Sequence, residues 1–455
     1  MEETDILILG GGLAGVSASF HSGHRRCLVL EKKNYLLGHL TSDKIRGFIW
    51  DEGPHVSFTK DSYIKSIFEK SVDGEFFEFE AKISNYFKGN WIDHPAQVNL
   101  FQLNEPLRTK CVNSFLEQSE HEINETPSNY HEWLVKSFGT EFTKIFASTY
   151  TKKYWTVDPK RMSIDWLGNR IFRPTKTDFL KGSRHKIKKQ THYFKTFRYP
   201  KFGGFEKFAS ILLKNINARL EEEVYEIDLE RKIVKTTAGK DYSYKTLINT
   251  LPLPLFLNLS LQTKDKLIEE KKLLECSKLF LINIEVPASR KRCDNWIYVY
   301  DNNLLSTRIN FIESLSINNT PEGCSGIQVE VYINGKDTLG HKKSELGAII
   351  LDEMVEMNLI DSKIVPKCKF TIKEVSWANV IFTLDTKQSL ENIWSELSKY
   401  DLKRESYDTN PITNWEREQG KPFFGSLIMA GRYGQWKYFW TDDCILRGKQ
   451  IGDII

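Results

Sequence analysis

The chain has 455 residues, of which 27% are charged and 40% are hydrophobic, with 64 Lys and Arg against 60 Asp and Glu. A net charge of +4 does not call for a nucleic-acid partner, and no stretch of 18 apolar residues predicts an integral membrane segment. The composition is that of a folded protein long enough for two domains.

Two features of the chain predict a cytoplasmic protein. The first apolar strand follows directly after Asp5, without the basic and apolar regions of a signal peptide. The seven cysteines are scattered, with no CxxC pair and no metal-ligand spacing. We therefore expect a reducing compartment, no disulfide and no structural zinc.

A glycine-rich turn follows this first strand and predicts the class of cofactor. Gly10 suits a tight turn, Gly12 allows the backbone to approach a pyrophosphate, and Gly15 allows close packing of helix on strand. Glu31 ends the next apolar strand, where its carboxylate can accept hydrogen bonds from the adenosine ribose and repels a 2′-phosphate. The pattern predicts an adenine dinucleotide, disfavours NADP and favours FAD.

Apolar periodicity divides the rest of the chain. Residues 61–195 show helical patterns, one of which begins at Tyr130 and ends at Gly139. Short strands near Val224 and at 247–250 are expected to rejoin the first sheet, and β-branched and aromatic runs between 276 and 385 predict an antiparallel sheet. We therefore predict an α/β fold with three parts: a discontinuous Rossmann-like FAD-binding domain (1–60, 196–255 and 420–455), an inserted helical layer (61–195) and a mostly antiparallel β-sheet substrate domain (256–419).

One stretch of the chain concentrates positive charge. Residues 181–189 carry five Lys and Arg side chains and one His. Two interpretations remain open, a flap that draws an anionic substrate toward a cleft and a solvated loop. Nucleic-acid binding is disfavoured, because no interleaved aromatic residues or known module accompany the charge.

Several later motifs occur in a fixed order along nearly the whole chain. They are GPHVSF at 53–58, WIDHPAQVN at 91–99, YTKKYW at 150–155, WLGNR at 166–170, Tyr298, Arg308 and GRYGQWKY at 431–438. This series resembles the UDP-galactopyranose mutase family, as a divergent member within the wider flavin amine oxidase and protoporphyrinogen oxidase-like group.

The resemblance implies a reduced FAD that is used without net redox turnover, its N5 attacking the anomeric carbon of a nucleotide sugar. It also implies roles for individual residues. His55 would lie beside the flavin, and Arg170 and Arg308 would hold the diphosphate, since a guanidinium can grip its oxygens at two points. The further cofactor-binding residues are Gly38, Val224, Gly431, Arg432 and Asp442. The substrate-binding residues are Gln97, Asn99, Thr151, Trp155, Tyr298 and Tyr438.

The sequence also departs from the family pattern. Ala96 stands where an aromatic residue is expected near uracil, Thr151 replaces an asparagine, and Leu315 lies near the expected place of a second tyrosine. Residues 200–206 resemble the amine oxidase group more than the mutases, and His39 replaces the second of two paired glycines. These differences leave recognition of uridine open.

Two principal functions remain. One is a nucleotide-sugar mutase that interconverts pyranose and furanose forms for glycan biosynthesis, with a nucleoside-diphosphate sugar as partner and NAD(P)H as a candidate reductant. The other is an FAD-dependent amine oxidase-type oxidoreductase acting on an amine or a sugar nucleotide. A flavin-binding protein without catalysis is a third reading. The sugar, the base and the oligomeric state, including a homo-oligomer, stay open.

Overall fold

The structure is a computed structural model that describes residues 1–23, 27–120, 126–168, 170–187, 194–403, 405, 425–453 and 455. Asn169, the last two residues of the basic run at 181–189 and the predicted domain boundary between 419 and 420 lie outside these residues. Across the described ranges, no helix combines the length and apolar character needed to cross a membrane.

The strands are numbered in chain order. They are β1 (Glu2–Leu9), β2 (Cys27–Leu30), β3 (Ser42–Ile45), β4 (Phe48–Asp51), β5 (Phe76–Glu80), β6 (Ile83–Phe87), β7 (Asn90–Asp93), β8 (Thr196–Pro200), β9 (Ala218–Arg219), β10 (Val224–Asp228), β11 (Ile233–Thr236), β12 (Asp241–Asn249), β13 (Glu275–Val286), β14 (Trp296–Val299), β15 (Arg308–Phe311), β16 (Ser325–Asn334), β17 (Lys369–Ile381) and β18 (Leu427–Met429).

The helices are numbered in the same way. They are α1 (Leu13–His21), α2 (Ser62–Ser71), α3 (Glu105–Glu120), α4 (Tyr130–Phe138), α5 (Thr140–Phe142), α6 (Ser148–Tyr154), α7 (Lys176–Gly182), α8 (Leu253–Leu259), α9 (Ile268–Leu273), α10 (Lys343–Glu356), α11 (Thr386–Leu397), α12 (Gly431–Gly434) and α13 (Thr441–Gly452). A π-helical turn (Thr143–Ala147) joins α5 to α6, and a 3₁₀ helix (Phe205–Leu213) follows β8.

The first sheet has the order β10-β11-β12-β1-β2-β9, with β18 also paired to β12. Its central strand β1 runs parallel to both β2 and β12. Residues 6–9 of β1 and all of β2 are buried, as expected for parallel strands covered on both faces. Helix α1 packs against the C-terminal helix α13 beside this sheet. The predicted Rossmann-like fold class is confirmed.

The second sheet has the order β17-β13-β16-β15-β14-β6-β7. Strands β13 to β17 pair antiparallel, in agreement with the sequence prediction. The long strand β13 lies between β16 and β17, and ten of its twelve residues are buried. Strand β6 pairs parallel with β14, which attaches the β6–β7 hairpin to this sheet.

The segment 61–195 combines helices with strands that its helical patterns do not predict. Helix α4 begins after Asn129, whose side chain accepts from the Glu132 N–H, and it ends at Gly139, as predicted. In contrast, β5 pairs with β8, and β6 and β7 extend the second sheet. The tight turns at Lys88 and Gly89, both with positive φ, allow the β6–β7 hairpin to close.

Candidate active site in a cavity between the two sheets

A cavity of about 1090 Å³ is lined by residues of the glycine turn, both sheets and the helical layer. Sixteen of the eighteen residues predicted from the sequence to form the site line this cavity. The two exceptions are Gly15 and Asn99. The structure therefore gathers residues that are up to 432 positions apart, from Gly10 to Asp442, around one space.

The glycine turn has the geometry expected of a diphosphate cradle. Gly10 has a φ of +94°, which suits glycine, and Gly12 caps helix α1. A Cβ on Gly12 would meet nothing within 4 Å, so this position faces open cavity. A Cβ on Gly15 would lie 2.1 Å from the Gly10 carbonyl oxygen, which explains why Gly15 packs rather than lines the cavity.

Glu31 is held in place by the backbone on both of its oxygens. Its Oε2 accepts from the Gly11 N–H at 2.7 Å, and its Oε1 accepts from the Lys33 N–H at 2.9 Å. Carboxylate oxygens have further lone pairs for ribose hydroxyls. The side chain therefore lines the cavity as an oriented acceptor and also supports the turn.

Gly38 approaches the glycine turn from the other side. The Leu37 N–H donates to the Gly11 carbonyl at 2.8 Å, and a Cβ on Gly38 would lie 3.1 Å from the Gly12 Cα. Val224, the first residue of β10, also lines the cavity. The glycine turn and Gly38 therefore approach each other at the wall of the cavity.

The C-terminal segment closes the cavity beside helix α1. Gly431 begins α12 with a φ of +80°, and a Cβ there would lie 2.9 Å from the Ala14 Cβ. Arg432 donates from Nε and Nη2 to the Phe439 carbonyl at 2.8 and 2.5 Å. Asp442 lies in the first turn of α13, where burial raises the pKa of its carboxyl and a hydrogen bond with Thr59 opposes that rise.

His55 lies between these groups with its ring stacked on Phe205, at 5.7 Å between centroids. Its Nδ1 is 3.0 Å from the Gly53 carbonyl, which can only accept, so Nδ1 carries the proton and Nε2 keeps its lone pair. Burial, together with the charge of nearby Arg432, outweighs the Gly53 hydrogen bond and lowers the pKa of His55 to about 4. The imidazole is therefore neutral at pH 7.

Arg308 and Glu330 form an ion pair in the cavity wall. Arg308 donates from Nε and Nη2 to the two Glu330 oxygens at 2.7 and 2.6 Å, and the Tyr332 hydroxyl donates to Glu330 at 3.1 Å. Burial lowers the pKa of Arg308, but the charge of Glu330 outweighs it and raises that pKa well above its usual value. The guanidinium is thus fixed, with one edge turned to its carboxylate partner.

Arg170 is positioned by aromatic rings and carbonyl groups. Its Nη1 donates to the Trp166 carbonyl at 2.8 Å, and its Nη2 donates to the Tyr438 carbonyl at 3.2 Å. Its Cζ lies 5.0 Å from the ring centroids of both Tyr438 and Trp440. These rings orient a cation that lines the same cavity as Arg308.

The predicted substrate-binding residues differ in their positions. Trp155 and Tyr438 line the cavity together with 5.4 Å between their ring centroids, and Tyr298 is paired in register with Arg308. Thr151 lines it too, but its hydroxyl donates to the Ala147 carbonyl.

Two amides beyond the cis His94–Pro95 bond behave differently. Gln97 lines the cavity and donates to the Phe172 carbonyl at 2.9 Å. Asn99 lies outside the lining, is buried, and donates to the Pro95 carbonyl at 3.0 Å. Asn99, predicted to bind substrate, therefore makes a local hydrogen bond within its own loop instead of lining the cavity. Ala96 is also buried away from the cavity.

Other residues of the lining are missing from the sequence analysis. Glu330 and Tyr332 alternate with buried valines along β16. A polar residue on one face of an apolar strand was therefore the sequence feature that could have predicted their place in the site. Tyr154 belongs to the YTKKYW motif and lies 5.0 Å from Tyr332 between ring centroids. Glu52 and Lys373 are separated by more than 300 residues, and nothing in their local sequence joins them.

Comparison with known proteins supports this fold. A family model described as an NAD(P)-binding Rossmann-like domain matches residues 8–71. The structure of a reduced UDP-galactopyranose mutase superposes with a TM-score of 0.86 at 20% identity, covering 99% of this chain and 95% of that one. A candidate protoporphyrinogen oxidase from Exiguobacterium sp. 255-15 gives 0.70 at 14% identity, covering 99% and 98%. A putrescine oxidase bound to putrescine gives 0.61 at 12% identity, covering 99% and 98%. The chain therefore has the fold shared by these three proteins.

Proposed function

We propose that the cavity binds FAD. The support is the open space at Gly12, the oriented carboxylate of Glu31 and the close approach of Gly38 to the turn. The N-terminus of α1 would meet the diphosphate, and the N-terminal turn of α13 would lie along the remainder of the cofactor. The same cavity, of about 1090 Å³, is also lined by Arg432, Arg170 and Arg308.

We further propose that the protein is a nucleotide-sugar mutase that uses reduced FAD, with NAD(P)H as a source of the electrons. One observation carries this proposal: Arg170 and Arg308 line the same cavity as the glycine turn, where they can hold a diphosphate. When bound, reduced FAD supplies a nucleophile for the anomeric carbon of the sugar.

The side chains of the protein would act mainly by binding and orientation. Arg170 and Arg308 grip the diphosphate and stabilise its charge as it leaves. The rings of Trp155 and Tyr438 exclude water from the sugar. His55 is neutral and offers the lone pair of Nε2 to a hydrogen-bond donor on the ligands. Such a division of labour suits a glycan precursor reaction in the cytoplasm.

The contacts of Glu330 bear on the alternative function, an amine oxidase. A carboxylate among tyrosine rings would attract an ammonium group, as Glu330 with Tyr154 and Tyr332 could do. However, Arg308 occupies both oxygens of that carboxylate and neutralises it. The pair therefore leaves no net negative charge to attract a cationic substrate.

The deciding experiment compares the two redox states of the purified protein under anaerobic conditions. UDP-, TDP- and GDP-activated galactopyranose are added to the oxidised protein and to protein reduced with dithionite, and the products are separated by chromatography. We expect furanose product from at least one donor only in the reduced state, without stoichiometric consumption of reductant. Bleaching of the oxidised flavin by an amine, without isomerisation of any sugar nucleotide, would show that the oxidase function is correct.

A further inference from the structure

Four ionisable side chains are linked in series, and three of them line the cavity. The proposed mechanism uses none of the four. His39 Nδ1 hydrogen-bonds Glu52 Oε1, Glu52 Oε2 lies 2.9 Å from Lys373 Nζ, and Lys373 Nζ donates to Asp43 at 2.8 Å. His39, Glu52 and Lys373 all line the cavity. We call these three residues the His39 network.

The charges in the His39 network fix the hydrogen-bonding direction of the histidine. Burial raises the pKa of Glu52, but the bond from His39 and the charges of His39 and Lys373 outweigh burial and lower it to about 2. Glu52 is therefore a carboxylate at neutral pH, and His39 Nδ1 donates to it. The Glu52 side chain is 3% exposed, whereas that of His39 is 41% exposed, so the imidazole is anchored on one edge and accessible on the other.

The position of His39 relates it to the proposed cofactor segment. Gly38, the preceding residue, approaches Gly12 of the glycine turn. The His39 ring packs edge-on against Tyr433 of α12, at 5.5 Å between centroids. The charges of His39 and Glu52 both act on the pKa of His55. His39 thus lies between two parts of the site, the glycine turn at Gly12 and the side chain of His55.

We propose that His39, held by Glu52 and Lys373, is a positioning and hydrogen-bonding residue for the flavin ring of bound FAD and favours its reduced form. This inference rests on the proposed FAD binding but not on the mutase reaction. Reduction adds a hydrogen to N5 of the ring, which accepts a hydrogen bond when oxidised and donates one when reduced, so an acceptor beside it stabilises the reduced ring more than the oxidised ring. Because the Nδ1 hydrogen of His39 is donated to Glu52, Nε2 is the acceptor of the neutral imidazole and lies on the edge that stays accessible.

The test measures the reduction potential of bound FAD in His39→Gln and His39→Gly. Glutamine keeps a donor for Glu52 but lacks the imidazole Nε2, and glycine removes the whole side chain. We expect each variant to bind reduced FAD about tenfold more weakly relative to oxidised FAD, which lowers the two-electron potential by about 30 mV. His131→Gln, on α4 and outside the cavity lining, is the matched control and should keep the wild-type potential.

The outcomes separate the two proposals. Wild-type protein that binds no FAD on reconstitution overturns both the proposed function and the role of His39. Full FAD content with an unchanged potential in both variants overturns the role of His39 alone. If His39→Gly unfolds, His39→Gln still decides, because its potential either falls or stays at the wild-type value.

Discussion

Arg308 and Glu330 stand directly opposite each other on the antiparallel strands β15 and β16, and two hydrogen bonds of 2.7 and 2.6 Å join them. A cross-strand partner fixes the guanidinium before any substrate arrives. The pair also keeps this part of the cavity close to neutral, so that a bound diphosphate meets a directed donor instead of an unpaired buried cation.

Replacing Arg308 by Ala is expected to lower kcat/KM for the nucleotide sugar by roughly 10²–10³-fold, because one directed donor to the leaving diphosphate is lost. FAD content should stay at the wild-type level. Removing one partner of a buried pair also destabilises a protein, by about 3–5 kcal/mol. The double variant Arg308→Met with Glu330→Gln should recover stability but not turnover. Wild-type turnover in Arg308→Ala would remove this residue from the site.

Arg170→Lys should be nearly as inactive as Arg170→Ala. The two aromatic rings at 5.0 Å orient a planar guanidinium, whereas an ammonium lacks the fork that donates to the Trp166 and Tyr438 carbonyls and to a diphosphate together. We expect a loss of about 100-fold in kcat with FAD content intact. Recovery of most activity by lysine would show that charge alone suffices.

Two glycine substitutions should separate cofactor binding from stability. Gly12→Ala adds a methyl group to open space and should leave the melting temperature of the apo-protein unchanged, while FAD affinity falls at least about tenfold. Gly15→Ala places its methyl group against the Gly10 carbonyl and should destabilise the apo-protein by about 2 kcal/mol. Calorimetry of apo-proteins and fluorescence titration with FAD check both effects. Equal melting temperatures for the two variants would contradict this assignment.

His55 should make the apo-protein less stable as the pH falls. Its pKa is about 4 when folded and 6.5 in the ordinary range, so between these values the unfolded chain binds more protons and stability rises with pH. His55→Gln should therefore show a weaker dependence between pH 4 and 6.5 in urea unfolding.

Asp51 supplies a control of opposite sign for that experiment. Burial raises the pKa of its carboxyl from 3.8 to about 6, so the folded chain binds more protons in this window and gains stability as the pH falls. Asp51→Asn should then make the loss of stability toward low pH steeper than in the wild type. The same slope in all three proteins would contradict both assignments.

Local patterns predicted the parts of the fold that local physics decides. The turn from Gly10 to Gly15, the acceptor Glu31 and the helix stop at Gly139 depend on neighbouring residues, and the structure places them as expected. Strands β6 and β7 were missed, because β6 pairs with β14, some 200 residues away, and β7 pairs with β6, and this pairing stabilises them more than their own pattern does.

The site residues also differ in whether the local sequence can predict them. Arg308 could be assigned through a resemblance, but its partner Glu330 becomes visible only when β15 and β16 are paired in register. Asn99 is the opposite case. Its position in the motif predicts substrate binding, but its amide donates to the Pro95 carbonyl. Contacts between distant side chains, such as Glu52 with Lys373, follow from topology and have no local signal.

The β6–β7 hairpin has a consequence for how this chain can be divided. Because these strands belong to the second sheet, a contiguous fragment with every strand of that sheet must run from residue 83 to residue 381. That fragment also contains β9 to β12 of the first sheet but lacks β1, the strand against which β12 pairs. No single cut therefore releases either sheet intact, and the two walls of the cavity are tied to one cooperative folding unit.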